Sequence, residues 1–247
     1  MMQVQRWVVV WLGVMLTGTQ ALAKYVDYEV QGKTYQGYVL KKSATAPLVM
    51  LVHDWDGLTE YEVKRADMLA KLGYSVFLLD LFGKGVRPTK VEDKKRLTGA
   101  LYQDRPLMRA LLQAGLDQAK KQGTNVENAV IGGYCFGGSA VLEMARAGTP
   151  LKGFVSFHGG LATPAGQSYQ QAKGQYLILH GTADQLVSLS EFAALARELE
   201  SAKLPNEMIA YGGADHAFTV FGGERYDKDA DMKSWRTFTQ FLQSVMG

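Results

Sequence analysis

Gly133-Tyr134-Cys135-Phe136-Gly137-Gly138 decides the reading of this sequence. It lies between a short apolar run, Ala129–Ile131, and an amphipathic stretch, Ser139–Ala147. A small residue two positions before and two positions after a central nucleophile marks a sharp strand-to-helix turn. Such a turn holds the central side chain in strained backbone geometry, and larger neighbours would clash. The helix that follows directs its N-terminus at the thiol of Cys135, which favours thiolate over thiol. The same terminus leaves the Phe136 N–H free to bind an oxyanion. A lone cysteine is ordinarily a small buried hydrophobe. The glycines and the strand–helix setting make Cys135 the candidate nucleophile instead.

Working outward, near-continuous apolar runs alternate with amphipathic ones. Leu48–Val52, Ser75–Leu79, Ala129–Ile131, Phe154–Phe157 and Gln175–Leu179 suit strands buried on both faces, and Glu207–Tyr211 adds a sixth. Helices are expected over Tyr61–Leu72, Arg105–Lys121, Ser139–Ala147, Ser190–Lys203 and Asp229–Val245. In the last of these, Met232, Trp235, Phe238 and Phe241 form an expected core stripe. Phe82–Thr98 reads as a loop with a short helix. Near the start, Tyr25–Val30 and Thr34–Leu40 alternate around Gln31-Gly32, as in an antiparallel hairpin. The expected fold is therefore α/β, a doubly wound and mostly parallel sheet preceded by that hairpin. With 247 residues, one domain accommodates the chain.

Residues 1–23 are set apart. Arg6 precedes an apolar run, Trp7–Leu16, and Ala21 and Ala23 supply small residues for cleavage before Lys24. This pattern predicts a signal peptide and export to the periplasm or the medium, with residues 24–247 as the mature domain. The run is too short to span a bilayer, so no stable membrane insertion is expected after cleavage. Cys135 is the only cysteine, which excludes an intramolecular disulfide. A net charge of +3 with scattered Lys and Arg gives no argument for nucleic acid. A monomer is expected.

A thiol with an ordinary pKa near 8.5 still benefits from a base. The order nucleophile, acid, histidine leads downstream to Asp184, in the loop after Gln175–Leu179, and then to His216 in a glycine-rich segment. Asp215 adjoins His216 too closely to turn back onto its ring. His180 suits a supporting role near Asp184, and His158 is either a pocket residue or a satisfied core histidine. A second oxyanion donor is expected near Trp55, in the loop His53-Asp54-Trp55-Asp56-Gly57. Asp54 either assists the thiol as an auxiliary acid or caps this loop. Leu58, Tyr102, Phe157, Phe218 and Tyr226 line an apolar pocket or belong to the core.

These segments resemble the dienelactone hydrolase family, whose members have the α/β-hydrolase fold. The match runs from about Pro47 onward and includes Leu79-Asp80-Leu81-Phe82-Gly83 and Ser156-Phe157-His158-Gly159-Gly160. The resemblance implies a Cys135–His216–Asp184 triad, without metal or organic cofactor, acting on enol-lactones or similarly activated esters. Asp54 aligns with a carboxylate, usually Glu, that holds the thiol until substrate arrives. The family's arginines for a substrate carboxylate find only Lys84 and Arg87 in one neighbourhood, and Thr219 and Val220 in the other. The chemistry is thus better supported than dienelactone as substrate. Rival readings are a thioesterase or acyltransferase on the same triad, a non-catalytic binding module on the scaffold, and a redox protein, which would want a second cysteine.

Overall fold

The computed structural model describes residues 22–247. The expected leader lies, but for its last two residues, outside the described residues. Gln31 and Gly32, both at positive φ, turn β1 (Leu22–Val30) back onto β2 (Lys33–Lys41) as the antiparallel hairpin. Then β3 (Pro47–Val52), α1 (Glu60–Lys71), β4 (Ser75–Leu79), α2 (Val91–Gln103), α3 (Arg105–Lys121) and β5 (Asn125–Tyr134) follow. The chain continues through α4 (Phe136–Arg146), β6 (Gly153–Phe157), β7 (Gln175–Gly181), α5 (Leu189–Ser201), β8 (Asn206–Tyr211) and α6 (Lys228–Met246).

The eight strands form one sheet in the order β1-β2-β4-β3-β5-β6-β7-β8. β4 to β8 pair in parallel through β3, and the hairpin extends the β4 edge antiparallel. Side chains alternate between two cores. Leu48, Met50 and Val52 face the layer containing α3, α4 and α5, whereas Val49 and Leu51 face α1 and α6. Burial on both faces explains the continuous apolar runs.

The chain leaves β3 for β4 on one side, then returns to β5 on the other. The carboxyl ends of β3 and β5 therefore border the switch point, where open α/β sheets bind ligands. The loop after β3 carries Trp55, and the turn after β5 carries Cys135.

Two expectations are corrected here. The stretch expected as a loop with a short helix runs into α2, a helix of 13 residues that continues beyond it to Gln103. Only Thr98 and Leu101 of α2 are buried, so it carries little hydrophobic periodicity. In α6, Met232 is exposed. The buried face runs instead through Asp231, Ser234, Phe238, Phe241 and Leu242, because Asp231 pairs with the buried Arg65 of α1. Among the described residues, no helix is long and apolar enough to cross a membrane.

Candidate active site

The turn between β5 and α4 is as tight as its sequence requires. Cys135 has φ 51° and ψ −114°, outside the usual wells for an L-residue. A Cβ on Gly133 would meet the Gly137 carbonyl oxygen at 2.2 Å, so the helix folds back over a position that only glycine can occupy. The Cys135 N–H donates to the Phe157 carbonyl at 3.0 Å, which ties the turn to β6. Phe136 is the first residue of α4, and its N–H has no acceptor within the helix.

His216 bridges the thiol and the carboxylate. Its Nε2 lies 3.0 Å from Cys135 Sγ, and its Nδ1 lies 2.8 Å from Asp184 Oδ2. The other Asp184 oxygen accepts the N–H groups of Leu186 at 2.8 Å and Val187 at 2.9 Å. Burial disfavours charge on both groups. It is outweighed by their mutual hydrogen bond, helped at Asp184 by the two N–H donors and at His216 by Cys135. Asp184 therefore lies below the usual carboxylate range, and His216 is raised to about 9. Asp215 does not compete for the ring, since it accepts the His216 backbone N–H. His180 approaches Asp184 at 4.0 Å and stacks on Phe192.

The loop after β3 is locked by a residue not singled out in the sequence. Nε2 of buried His53 accepts the Leu81 N–H at 3.1 Å, which puts its proton on Nδ1, 2.6 Å from the Asp54 carbonyl. Imidazole thus ties the β3 and β4 ends together. Asp54 Oδ1 accepts the Asp56 N–H at 2.7 Å, the loop-capping geometry. No hydrogen bond joins Asp54 to Cys135 among the described residues. Burial raises Asp54 to about 6, and His216 is near enough to oppose that rise. Glu62, buried beside it, is pushed up to about 8 by burial and by Asp54. Trp55 carries Lys94 of α2 over its ring, and that lysine also pairs with Asp56.

Two cavities flank this centre. One, of 220 Å³, is bounded by Tyr102, Arg105, Ser139, Gly160, Leu186 and Val187. The other, of 180 Å³, lies among Asp54, Trp55, Asp56, Ala217, Val220 and Arg225. Beneath the first, buried Glu143 pairs with Arg105, Arg109 and Arg146. Glu191 also lines that cavity, so three cations face two carboxylates and leave that side of the site weakly positive. A larger depression of 430 Å³ between Thr163, Tyr169 and Arg197 holds no triad residue.

Several expected substrate contacts are not in either cavity. Lys84 pairs with Asp27 of β1, at the edge of the sheet. Arg87 donates to the Val86 carbonyl at 2.8 Å, with its stem against Gly57. His158 is fully buried beneath His216, their ring centroids 5.4 Å apart. Thr219 is also fully buried. Positive charge enters through Arg105 and Arg146 instead, on helices whose arginines read as ordinary surface in sequence. Of the apolar candidates, Tyr102 lines the first cavity, whereas Leu58, Phe157 and Phe218 belong to the core. Tyr226 bonds to Asp231.

Among the described residues no cluster of His, Cys, Asp or Glu could hold a metal ion. What the arrangement offers is a thiol, a base oriented by a carboxylate, and an N–H donor at a helix start.

Comparisons with known proteins bear on the fold and the family. A protein of Aquifex aeolicus named "Putative carboxymethylenebutenolidase" is 22% identical over 232 residues, covering 91% of this chain and all of that one. The crystal structure of a dienelactone hydrolase-like promiscuous phosphotriesterase from metagenomic libraries superposes with a TM-score of 0.86. It is 28% identical, and the match covers 92% of this chain and 100% of that one. An α/β-hydrolase enzyme from a deep-sea metagenome, 19% identical with a TM-score of 0.64 over 92% of this chain and 99% of its own, shares the fold. The dienelactone hydrolase family model matches residues 35–246, from β2 through the elbow, the Asp184 loop and His216 to the end of α6. The chain belongs to the dienelactone hydrolase family.

Proposed function

We propose that the protein hydrolyses small carboxylic esters or lactones, with Cys135 as nucleophile, His216 as base and Asp184 as its orienting carboxylate. The observation that carries this reading is the unbroken run from Cys135 Sγ through His216 to Asp184, at 3.0 and 2.8 Å. Hydrogen bonds to Asp184 and Cys135 hold His216 above the usual histidine range, at about 9, so the imidazole is placed to take the thiol proton.

The thiolate attacks the acyl carbon, forming a C–S bond. The carbonyl oxygen becomes an oxyanion bound by the N–H groups of Phe136 and Trp55. Collapse breaks the bond to the leaving oxygen, which takes the proton from the His216 imidazolium. Neutral His216 next removes a proton from water, whose oxygen attacks the thioester. Collapse of that intermediate breaks the C–S bond, releasing the acid and the Cys135 sulfur, and the proton taken from water stays on His216 as at the start of attack. Thiolate leaves more readily than an amine, so activated esters and lactones are favoured over amides. Asp54 assists as an acid that is partly neutral near pH 6. The names of the Aquifex relative and of the metagenomic phosphotriesterase accord with a small electrophilic substrate. We further propose export to the periplasm or medium, on the leader-like residues 1–23.

Hydrolysis of a short-chain p-nitrophenyl ester by the wild type, by Cys135→Ala and after iodoacetamide tests the reading. Loss of activity in both treatments is expected. Full activity in Cys135→Ala contradicts a cysteine nucleophile.

A further inference from the structure

His158 is costly in two ways that packing alone does not justify. Its φ of 39° is left-handed, a conformation that L side chains rarely adopt. It is also fully buried with Nδ1 lacking any hydrogen-bond partner. An apolar side chain would fill the space between Phe218 and Tyr134 without that second cost. The ring that receives the benefit is His216, packed edge to face at 5.4 Å and 64°.

The protons behind this contact can be traced. Asp231 holds Arg65, whose Nε donates to the Tyr61 hydroxyl at 3.3 Å. Tyr61 lies 2.8 Å from Thr219 Oγ1, and that oxygen lies 2.8 Å from His158 Nε2. Arginine only donates. If Tyr61 donates to Thr219, and Thr219 to Nε2, every hydroxyl proton in the run has an acceptor. The reverse direction strands the Tyr61 proton. The forward direction makes Nε2 an acceptor and leaves only the Nδ1 proton unpaired, whereas the reverse leaves both Nδ1 and the Tyr61 proton without a partner.

We propose that His158 is a positioning residue for His216, fixed as the Nδ1–H tautomer by a hydrogen bond donated from Thr219, so that a neutral ring backs the imidazolium. This rests on reading Cys135, His216 and Asp184 as the triad. The charged or titratable groups facing His158 are His216, Asp184, Arg65 and Tyr134. A second cation at His158 would oppose the one on His216. Burial and the His216 charge both act against protonation of His158, and Thr219 blocks the nitrogen at which a proton would arrive.

The test uses the full chain, labelled with 15N-histidine, and three forms: wild type, Thr219→Val and Thr219→Ser. Two-bond 15N–1H spectra read the tautomer, and the rate of Cys135 alkylation by iodoacetamide against pH reads the thiolate–imidazolium pair. Wild-type His158 is expected as the Nδ1–H form, unchanged from pH 6 to 9. Thr219→Val, close in shape, should mix the tautomers and slow alkylation about 5-fold or more near pH 6, and Thr219→Ser should restore both. An Nε2–H form in the wild type overturns the proposal, whether or not Thr219→Val folds. So does a wild-type alkylation profile in folded Thr219→Val. Neither readout needs turnover. Esterase activity surviving in Cys135→Ala would therefore remove the triad reading while the tautomer result stood.

Discussion

Gly137 lies so close to the end of β3 that a Cβ there would stand 2.4 Å from the Val52 carbonyl oxygen. The elbow and the loop bearing Trp55 are thereby held at one fixed separation, which is what an oxyanion site shared between two loops requires. Backbone blocks the position, so no side-chain adjustment relieves the clash.

Gly137→Ala is accordingly expected to destabilise the protein by about 3 kcal/mol or more and to abolish ester hydrolysis in whatever folds. Urea unfolding of the variant beside the wild type checks this. An unchanged midpoint would mean that β3 and the elbow are not in this contact.

Much of this arrangement was legible in the sequence because it rests on short-range rules. Cys135 between Gly133 and Gly137 marks the elbow wherever the strand lies, and Asp184 and His216 follow strand ends that apolar runs disclose. What escaped depends on partners distant in sequence. Asp231 occupies the buried face of α6 only because Arg65 meets it across 166 positions, so counting apolar residues put Met232 there instead. The helix α2 buries too little to show a period. Arg105 is drawn to the site by Glu143, 38 residues on, whereas Lys84, close to the expected position in sequence, is captured by Asp27.

That exchange of cations has a consequence for substrate choice. Arg105 is partly exposed on the 220 Å³ cavity beside Ser139. Arg105→Gln should raise KM about 10-fold for an ester whose acyl group carries a carboxylate, with little change for a neutral ester of equal length. This corresponds to about 1.4 kcal/mol. Equal effects on both substrates would place the acyl group in the other cavity.

Asp54 makes stability depend on pH with a known sign. Its folded value of about 6 lies above the ordinary 3.8, so the folded state binds its proton more tightly than the unfolded chain does. The resulting destabilisation is absent below about pH 4, develops as pH rises to about 6 and stays constant above. Asp54→Asn keeps an oxygen for the Asp56 N–H and carries no charge. The variant should gain up to about 3 kcal/mol at pH 8 and only about 1 kcal/mol at pH 4.5. Urea midpoints at the two pH values decide it, and equal gains at both would contradict the assignment.

Arg65 and Asp231 are nearly inaccessible, and Arg65 lies within a box of Tyr61, Tyr134, Phe221 and Trp235. Asp231→Ala leaves a buried guanidinium without its carboxylate and should cost about 3–5 kcal/mol. The double variant Arg65→Met with Asp231→Leu should recover most of that loss. Thermal unfolding of both forms measures it, and a single variant within 1 kcal/mol of wild type would show that water already screens the pair.

The central claim is that the acyl group passes through the Cys135 sulfur. Acid-quenching the protein during turnover of a slowly hydrolysed p-nitrophenyl ester, then weighing the intact chain and its peptides, tests it most directly. The account predicts one added acyl mass on the peptide containing Cys135, absent from Cys135→Ala. Turnover with an unmodified Cys135, and the acyl mass on another side chain, would contradict it.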